Sequence, residues 1–146
     1  MILRNILEKS GRRSKPAAET VQGTYISLEG EDVMFERIDT VFVRVPDLDA
    51  AKTWYMEVLG LALKWDNDHI AVLALGETPL TLLKTEASSF RPAAEAAFNF
   101  YVKDAEAAHR HLRAAGVEVS AVEEGEGVQW FLFQDHCGNA LEVCSF

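Results

Sequence analysis

Cysteine is scarce in this chain, with two in 146 residues. Cys137 and Cys144 cannot supply the several bridges that hold small secreted domains together, so a reducing cytoplasm is the expected location. Long apolar runs are missing as well. None approaches the roughly 18 residues that a membrane-spanning helix needs. Basic residues are outnumbered, 14 Lys+Arg against 23 Asp+Glu, for a net charge of −9. A general nucleic-acid binder would show a basic stripe, so neither nucleic acid nor membrane is expected as a partner. The acidic balance is compatible with a cationic ligand but does not name one.

What remains is ordinary globular composition, 49% hydrophobic and 25% charged. A chain of this length buries a real core as one domain. Residues 1–33 stand apart as an N-terminal extension. They hold five basic and five acidic residues, so the whole imbalance of −9 lies in residues 34–146. The apolar stretch at Ile2, Leu3, Ile6 and Leu7 is too short and too interrupted for a secretory signal. The expectation is that the natural protein begins at Met34. Leu28-Glu29-Gly30-Glu31 can be encoded by a purine-rich ribosome-binding sequence just upstream, and a repeat pattern opens immediately afterwards.

That repeat is the most informative feature of the chain. Val43 to Ala51 is echoed by Tyr101 to Ala108, with Asp47 falling on Asp104 and Gly60 on Gly116. Ile38–Val45 alternates as a strand, with Val41, Val43 and Val45 on one face and Thr40, Phe42 and Arg44 on the other. Asp47 caps a helix whose stripe is Leu48, Ala51, Trp54, Tyr55, Val58 and Leu59, and Gly60 ends it. Strands follow at 61–65, 69–75 and 79–84. After an alanine-rich connector, Ala87 to Glu95, the second copy repeats the order. It has a strand at 96–102, a helix with Ala108, Leu112 and Ala115 inward, and strands at 117–122, 128–133 and 140–145. Each copy is βαβββ, one module spanning about 36–86 and the other about 95–146. A supersecondary unit used twice buries its apolar face against its twin, and the hollow between copies is the place to look for a ligand.

Two motifs carry a family resemblance. Val43-x-Val45-x-Asp47-Leu48 leads into Trp54-Tyr55-x-x-Val58-Leu59-Gly60, and the chain closes on Phe133-x-Asp135-x-x-Gly138-Asn139-x-Leu141-Glu142. The pattern resembles the vicinal oxygen chelate superfamily of glyoxalase I, bleomycin-resistance proteins, fosfomycin-resistance enzymes and extradiol dioxygenases. The resemblance implies an α+β fold, two βαβββ modules forming an open, barrel-like mixed sheet, with the site on the concave face. It also implies a homodimer.

Metal-dependent members of that family place a His seven residues before each helix-capping Asp, and draw further ligands from the last strand of each copy. Here the corresponding positions are Thr40, Ala97, Thr81 and Glu142. One of the four keeps a recognised ligand type, whereas a catalytic divalent ion takes about three protein donors. No metal and no other cofactor is therefore expected, a divalent metal entering only in the alternative reading below. The histidines do not rebuild a site. His109 and His111 are two apart on a helix and point to different sides. His69 opens a strand after an acidic turn, and His136-Cys137 lies in a hairpin turn whose spacing matches no zinc motif.

The same alternation places Thr40, Phe42, Arg44, Thr81, Leu83, Ala97, Asn99, Tyr101, Glu142 and Cys144 on the concave face, the make-up of a small-molecule pocket. Glu142 is the single candidate for catalysis, as a general base. Arg44 is its expected ion-pair partner, because a carboxylate on such a wall must be hydrated, paired or neutralised. The leading expectation is a metal-independent small-molecule-binding protein. The first alternative is a metal-dependent lyase, thiol transferase or dioxygenase with an atypical site around Glu142. The second is a regulatory or interaction module without pocket chemistry.

Overall fold

The computed structural model describes residues 34–146. The expectations about the extension and its start at Met34 concern residues outside that range. The first module runs β1 (Val41–Val45), α1 (Leu48–Val58), β2 (Ala62–Asp66), β3 (Ile70–Ala74) and β4 (Leu80–Lys84). The second runs β5 (Asn99–Tyr101), α2 (Ala105–Ala114), β6 (Glu123–Gly125), β7 (Val128–Gln134) and β8 (Ala140–Ser145). Each forms its own four-stranded mixed sheet, in the order β1-β4-β3-β2 and β5-β8-β7-β6. The opening strand of each module pairs in parallel with the closing one, and the other pairings are antiparallel. Both sheets are open, with β1 and β5 as edge strands.

The helices begin where the sequence says they should. Asp47 Oδ1 accepts from the Ala50 amide at 3.0 Å, and Asp104 Oδ1 from the Ala107 amide at 2.9 Å. Each such cap contributes about 1 kcal/mol to its helix. Gly60 and Gly116 follow the helix ends at φ +70° and +78°, a backbone region that side chains disfavour. In β1 the alternation is realised: Val43 and Val45 are buried, while Phe42 and Arg44 are exposed on the opposite face. The helix-facing sides of the two sheets share one core, joining Val43, Tyr55, Leu73 and Leu82 to Phe100, Leu112, Phe131 and Val143.

Three details depart from the sequence reading. Strand β5 is confined to Asn99–Tyr101 rather than 96–102. The strand expected at 117–122 is replaced by a single bridge, Val119 to Phe133, and the regular strand β6 lies further on, at Glu123–Gly125. The cause is local: Ser120 Oγ accepts from the Leu132 amide at 2.8 Å, so a side chain takes a place in the ladder that a carbonyl would fill. Ala115 is exposed rather than inward, because it is the C-cap of α2, and Ala105 is buried at the other end of the helix.

The modules are fastened together at the β7–β8 turn. Asp135 is buried, and its carboxylate accepts five hydrogen bonds. Tyr55 Oη of α1 donates to Oδ2 at 2.8 Å, and Asn139 Nδ2 to the same oxygen at 2.9 Å. Oδ1 receives the Cys137 and Asn139 amides and the Cys137 thiol. Asn139 then reaches outward: Nδ2 donates to the Arg44 carbonyl on β1 at 2.9 Å, and Oδ1 accepts from the Ala93 amide of the connector at 2.8 Å. Gly138 turns this corner at φ +91°, and a Cβ there would stand 3.5 Å from the Pro92 ring.

Candidate functional site

Strand register, rather than the alternation of single strands, determines which side chains share a face. On the first sheet, away from the core, Phe42, Thr81, Val72 and Trp65 stand in one row across β1, β4, β3 and β2. Arg44, Leu83 and Ile70 form the next row. On the second sheet, Asn99, Glu142 and Leu132 make one row, and Tyr101, Cys144, Trp130 and Glu123 the other. Nine residues expected to bind ligand are thereby placed. Thr40, Phe42, Arg44, Thr81 and Leu83 gather on the first sheet; Asn99, Tyr101, Glu142 and Cys144 gather on the second. Trp65, Val72, Trp130 and Leu132 were missed by reading only opening and closing strands. Their period-2 patterns, extended through the hairpins, would have included them.

The positions equivalent to metal ligands can be judged by their donors. Thr40 Oγ1 and Thr81 Oγ1 are 2.7 Å apart, and Thr40 Oγ1 is also 2.9 Å from the Pro79 carbonyl. A hydroxyl has one proton. Thr40 spends its proton on Pro79, so Thr81 donates to Thr40. Both hydroxyl protons are thereby used, that of Thr40 on Pro79 and that of Thr81 on Thr40. Glu142 is fully buried, and Asn99 Nδ2 donates to its Oε1 at 3.4 Å. Ala97 offers a methyl group. Two neutral hydroxyls bonded to each other, one methyl and one carboxylate do not fit a divalent ion.

The expected ion pair between Arg44 and Glu142 does not form. Arg44 makes no ion pair among the described residues, and Glu142 accepts from Asn99 on the neighbouring strand of its own sheet. The Glu142 charge has a different consequence: burial first, and that charge second, push the Cys144 thiol above its ordinary range.

A second group of metal-type donors lies in the β7–β8 turn, where Asp135, His136 and Cys137 place ligand atoms within 4.8 Å of one another. These residues do not fit a metal either. The Asp135 carboxylate is filled by the hydrogen bonds that join the modules. The Cys137 thiol is pushed up to about 12, mainly by burial and then by its hydrogen bond to Asp135, so it stays a thiol. The Cys137 thiol donates to Asp135, and the His136 ring lies 5.8 Å from that of Trp54. His109 and His111 diverge as expected, each fixed to a carbonyl, Ser120 at 2.8 Å and Val58 at 2.7 Å.

Among the cavities between the modules, two touch residues expected to bind ligand. One of about 390 Å³ on the helix side is lined by Val58, Leu61, Leu75, Phe100, His111 and Phe133, among others. The other, of about 210 Å³, follows the seam between β1 and the second module and is lined by Phe42, Arg44, Arg91, Glu95, Ala97 and Phe98, among others. The second cavity brings Phe42, Arg44 and Ala97 together. It does not include Thr40, Thr81, Leu83, Asn99, Tyr101, Glu142 or Cys144.

Known proteins share this architecture. Glutathione transferase FosA of Serratia marcescens is 29% identical over 117 residues, covering 75% of this chain and 81% of that protein. Lactoylglutathione lyase from Agrobacterium tumefaciens superposes with a TM-score of 0.63 at 22% identity, over 75% of this chain and 92% of the other. TnmS3, an antibiotic binding protein from Streptomyces sp. CB03234, gives 0.68 at 21% identity, over 77% and 98%. The family model of the Glyoxalase/Bleomycin resistance protein/Dioxygenase superfamily matches residues 37–143. The chain belongs to the Glyoxalase/Bleomycin resistance protein/Dioxygenase superfamily.

Proposed function

We propose that this protein binds a small molecule on its concave sheet faces without the help of a metal ion. The donor set carries the reading: the positions equivalent to metal ligands hold two neutral hydroxyls bonded to each other and to Pro79, one methyl group and a single carboxylate. Residues 34–146 form the functional domain in this reading. The walls are aromatic and apolar, Phe42, Trp65, Leu83, Tyr101 and Trp130, with polar groups at Thr81, Asn99 and Glu142. That is the composition of an organic-ligand site. The reading draws support from TnmS3, an antibiotic binding protein with the same fold.

The test is metal content, measured after incubation with excess Ni²⁺, Zn²⁺, Mn²⁺ and Fe²⁺ and removal of loosely bound ions. The expected result is well under one ion per chain, with no difference for Glu142→Ala. Stoichiometric metal lost in Glu142→Ala would favour the alternative, a metal-dependent thiol transferase or lyase. That alternative draws its support from the 29% identical glutathione transferase.

The site is proposed to be completed by a second copy. Phe42, Trp65 and Tyr101 are 58%, 50% and 55% exposed on the faces turned away from the core. Aromatic residues are enriched at interfaces, and these lie exposed on both sheet faces. Setting the first sheet of one copy against the second sheet of another would cover these rings and bring the two half-sites together. Sedimentation velocity should give a dimer for the wild type and a large shift to monomer for Phe42→Glu with Trp65→Glu. A monomeric wild type at micromolar concentration would refute the arrangement.

A further inference from the structure

We infer that the seam between β1 and the connector seats the anionic group of the ligand, held by Arg44 and Arg91. The inference rests on the small-molecule reading above and narrows it to molecules carrying a carboxylate or a phosphonate-like group beside a flat apolar portion. In a chain of charge −9, two guanidinium groups line one cavity of about 210 Å³. Neither forms an ion pair among the described residues. Glu95 is the other charged group on that wall, so the seam keeps one net positive formal charge.

Both arginines are held in place through the backbone. The Arg44 carbonyl accepts from Asn139 Nδ2 at 2.9 Å, which fixes this part of β1 against the β7–β8 turn. Arg91 Nη1 donates to the Phe90 carbonyl at 2.6 Å and to the Ser88 carbonyl at 3.5 Å, leaving the Nε and Nη2 N–H groups for a ligand. A guanidinium presents a planar fork that matches a carboxylate or phosphonate in two parallel hydrogen bonds. Phe42 and Phe98 supply the flat walls beside it. Ala97, where a larger side chain would intrude, leaves room. The cavity exceeds the roughly 150 Å³ that accommodates one benzene ring in a protein interior. A monocyclic acid therefore fits in size as well as charge.

Calorimetric titration at low salt would use benzoate and phenylphosphonate as anionic probes, benzamide as the neutral isostere and benzylamine as the cation. Benzoate or phenylphosphonate should bind at least about tenfold more tightly than benzamide, and Arg44→Gln or Arg91→Gln should each remove about tenfold of that affinity. Glu95→Gln should tighten anion binding, a gain that a folding defect cannot produce. Both arginines are exposed, so their glutamine variants should keep the wild-type melting temperature. Equal binding of benzamide and benzoate, insensitivity to both arginine substitutions, or no anion binding at millimolar concentration would each overturn the anion seat. A cationic or neutral ligand sensitive to Glu142→Gln but not to Arg44→Gln would overturn it while keeping the small-molecule reading. Stoichiometric metal dependent on Glu142 would remove the underlying reading itself.

Discussion

Replacing Asp135 with alanine should lower stability by about 3 to 5 kcal/mol, the range seen when one partner of a buried, bonded charge is deleted. The carboxylate receives Tyr55 Oη, the Asn139 amide and side chain, and the Cys137 amide and thiol. Its removal leaves these donors without their acceptor, and it frees the turn that ties β8 to β1 and the connector. Tyr55→Phe deletes one of the five bonds and should cost about 1.5 to 3 kcal/mol, the usual worth of a hydrogen bond to a charged group. The double variant should cost less than the two losses added, because both act on one network. Urea unfolding followed by tryptophan fluorescence measures all three. A loss under about 1 kcal/mol for Asp135→Ala, typical of an exposed substitution, would show that the turn is not what joins the modules.

The same cluster sets the alkaline limit of stability. Burial, reinforced by the negative charge of Asp135, holds the Tyr55 phenol well above its ordinary range. The Cys137 thiol is pushed up to about 12 for similar reasons. Both groups have folded pKa values above their unfolded ones. Their contribution is complete below the unfolded values, about 8.5 for Cys and 10 for Tyr, and declines as pH rises beyond them. There the unfolded chain releases protons that the folded chain retains. Stability should therefore fall from about pH 8.5 upward, more steeply past pH 10. Tyr55→Phe should flatten the upper part of that slope.

Restoring histidine at Thr40 and Ala97 should convert the protein into a metal binder. With Glu142 the double variant would offer three donors of recognised type. Zn²⁺ or Ni²⁺ affinity should rise by at least about a hundredfold over the wild type, since each first-row ion gains strongly from imidazole donors. The expected effect is large because the wild-type donors are a methyl group and a hydroxyl already bonded to Thr81 and Pro79. Because Thr40 and Glu142 belong to different sheets, the new site should form only when those sheets face one another. Metal binding by the double variant should therefore fall when Phe42→Glu and Trp65→Glu are added. Equal metal affinity in wild type and double variant would refute the account of the donor set.

The relation between the two modules was legible in the chain because each carries its instructions locally. Asp47 and Asp104 cap their helices, Gly60 and Gly116 end them, and the valines of β1 alternate with Phe42 and Arg44. These signals depend on neighbours only a few residues away, so no partner element can reverse them. The residues standing at the positions that the resemblance equates with metal ligands were equally legible, since Thr40, Thr81, Ala97 and Glu142 are read directly from the chain. Where local signals conflicted with a side chain, the reading failed: the strand expected at 117–122 gave way because Ser120 Oγ competes for the Leu132 amide.

Tertiary structure decided everything that depends on which strands become neighbours. Arg44 and Glu142 were expected to pair because each lies on the concave side of its own strand. They stand apart because β1 pairs with β4 and β8 with β5. Asp135 read as part of a turn motif and turned out to be the junction between modules, since only folding brings Tyr55 to within 2.8 Å of it across 80 residues of chain. The seam with Arg44 and Arg91 likewise arises where a connector returns against an edge strand. Local sequence fixes which side of a strand a residue occupies; the register and packing of separate sheets determine what it meets there.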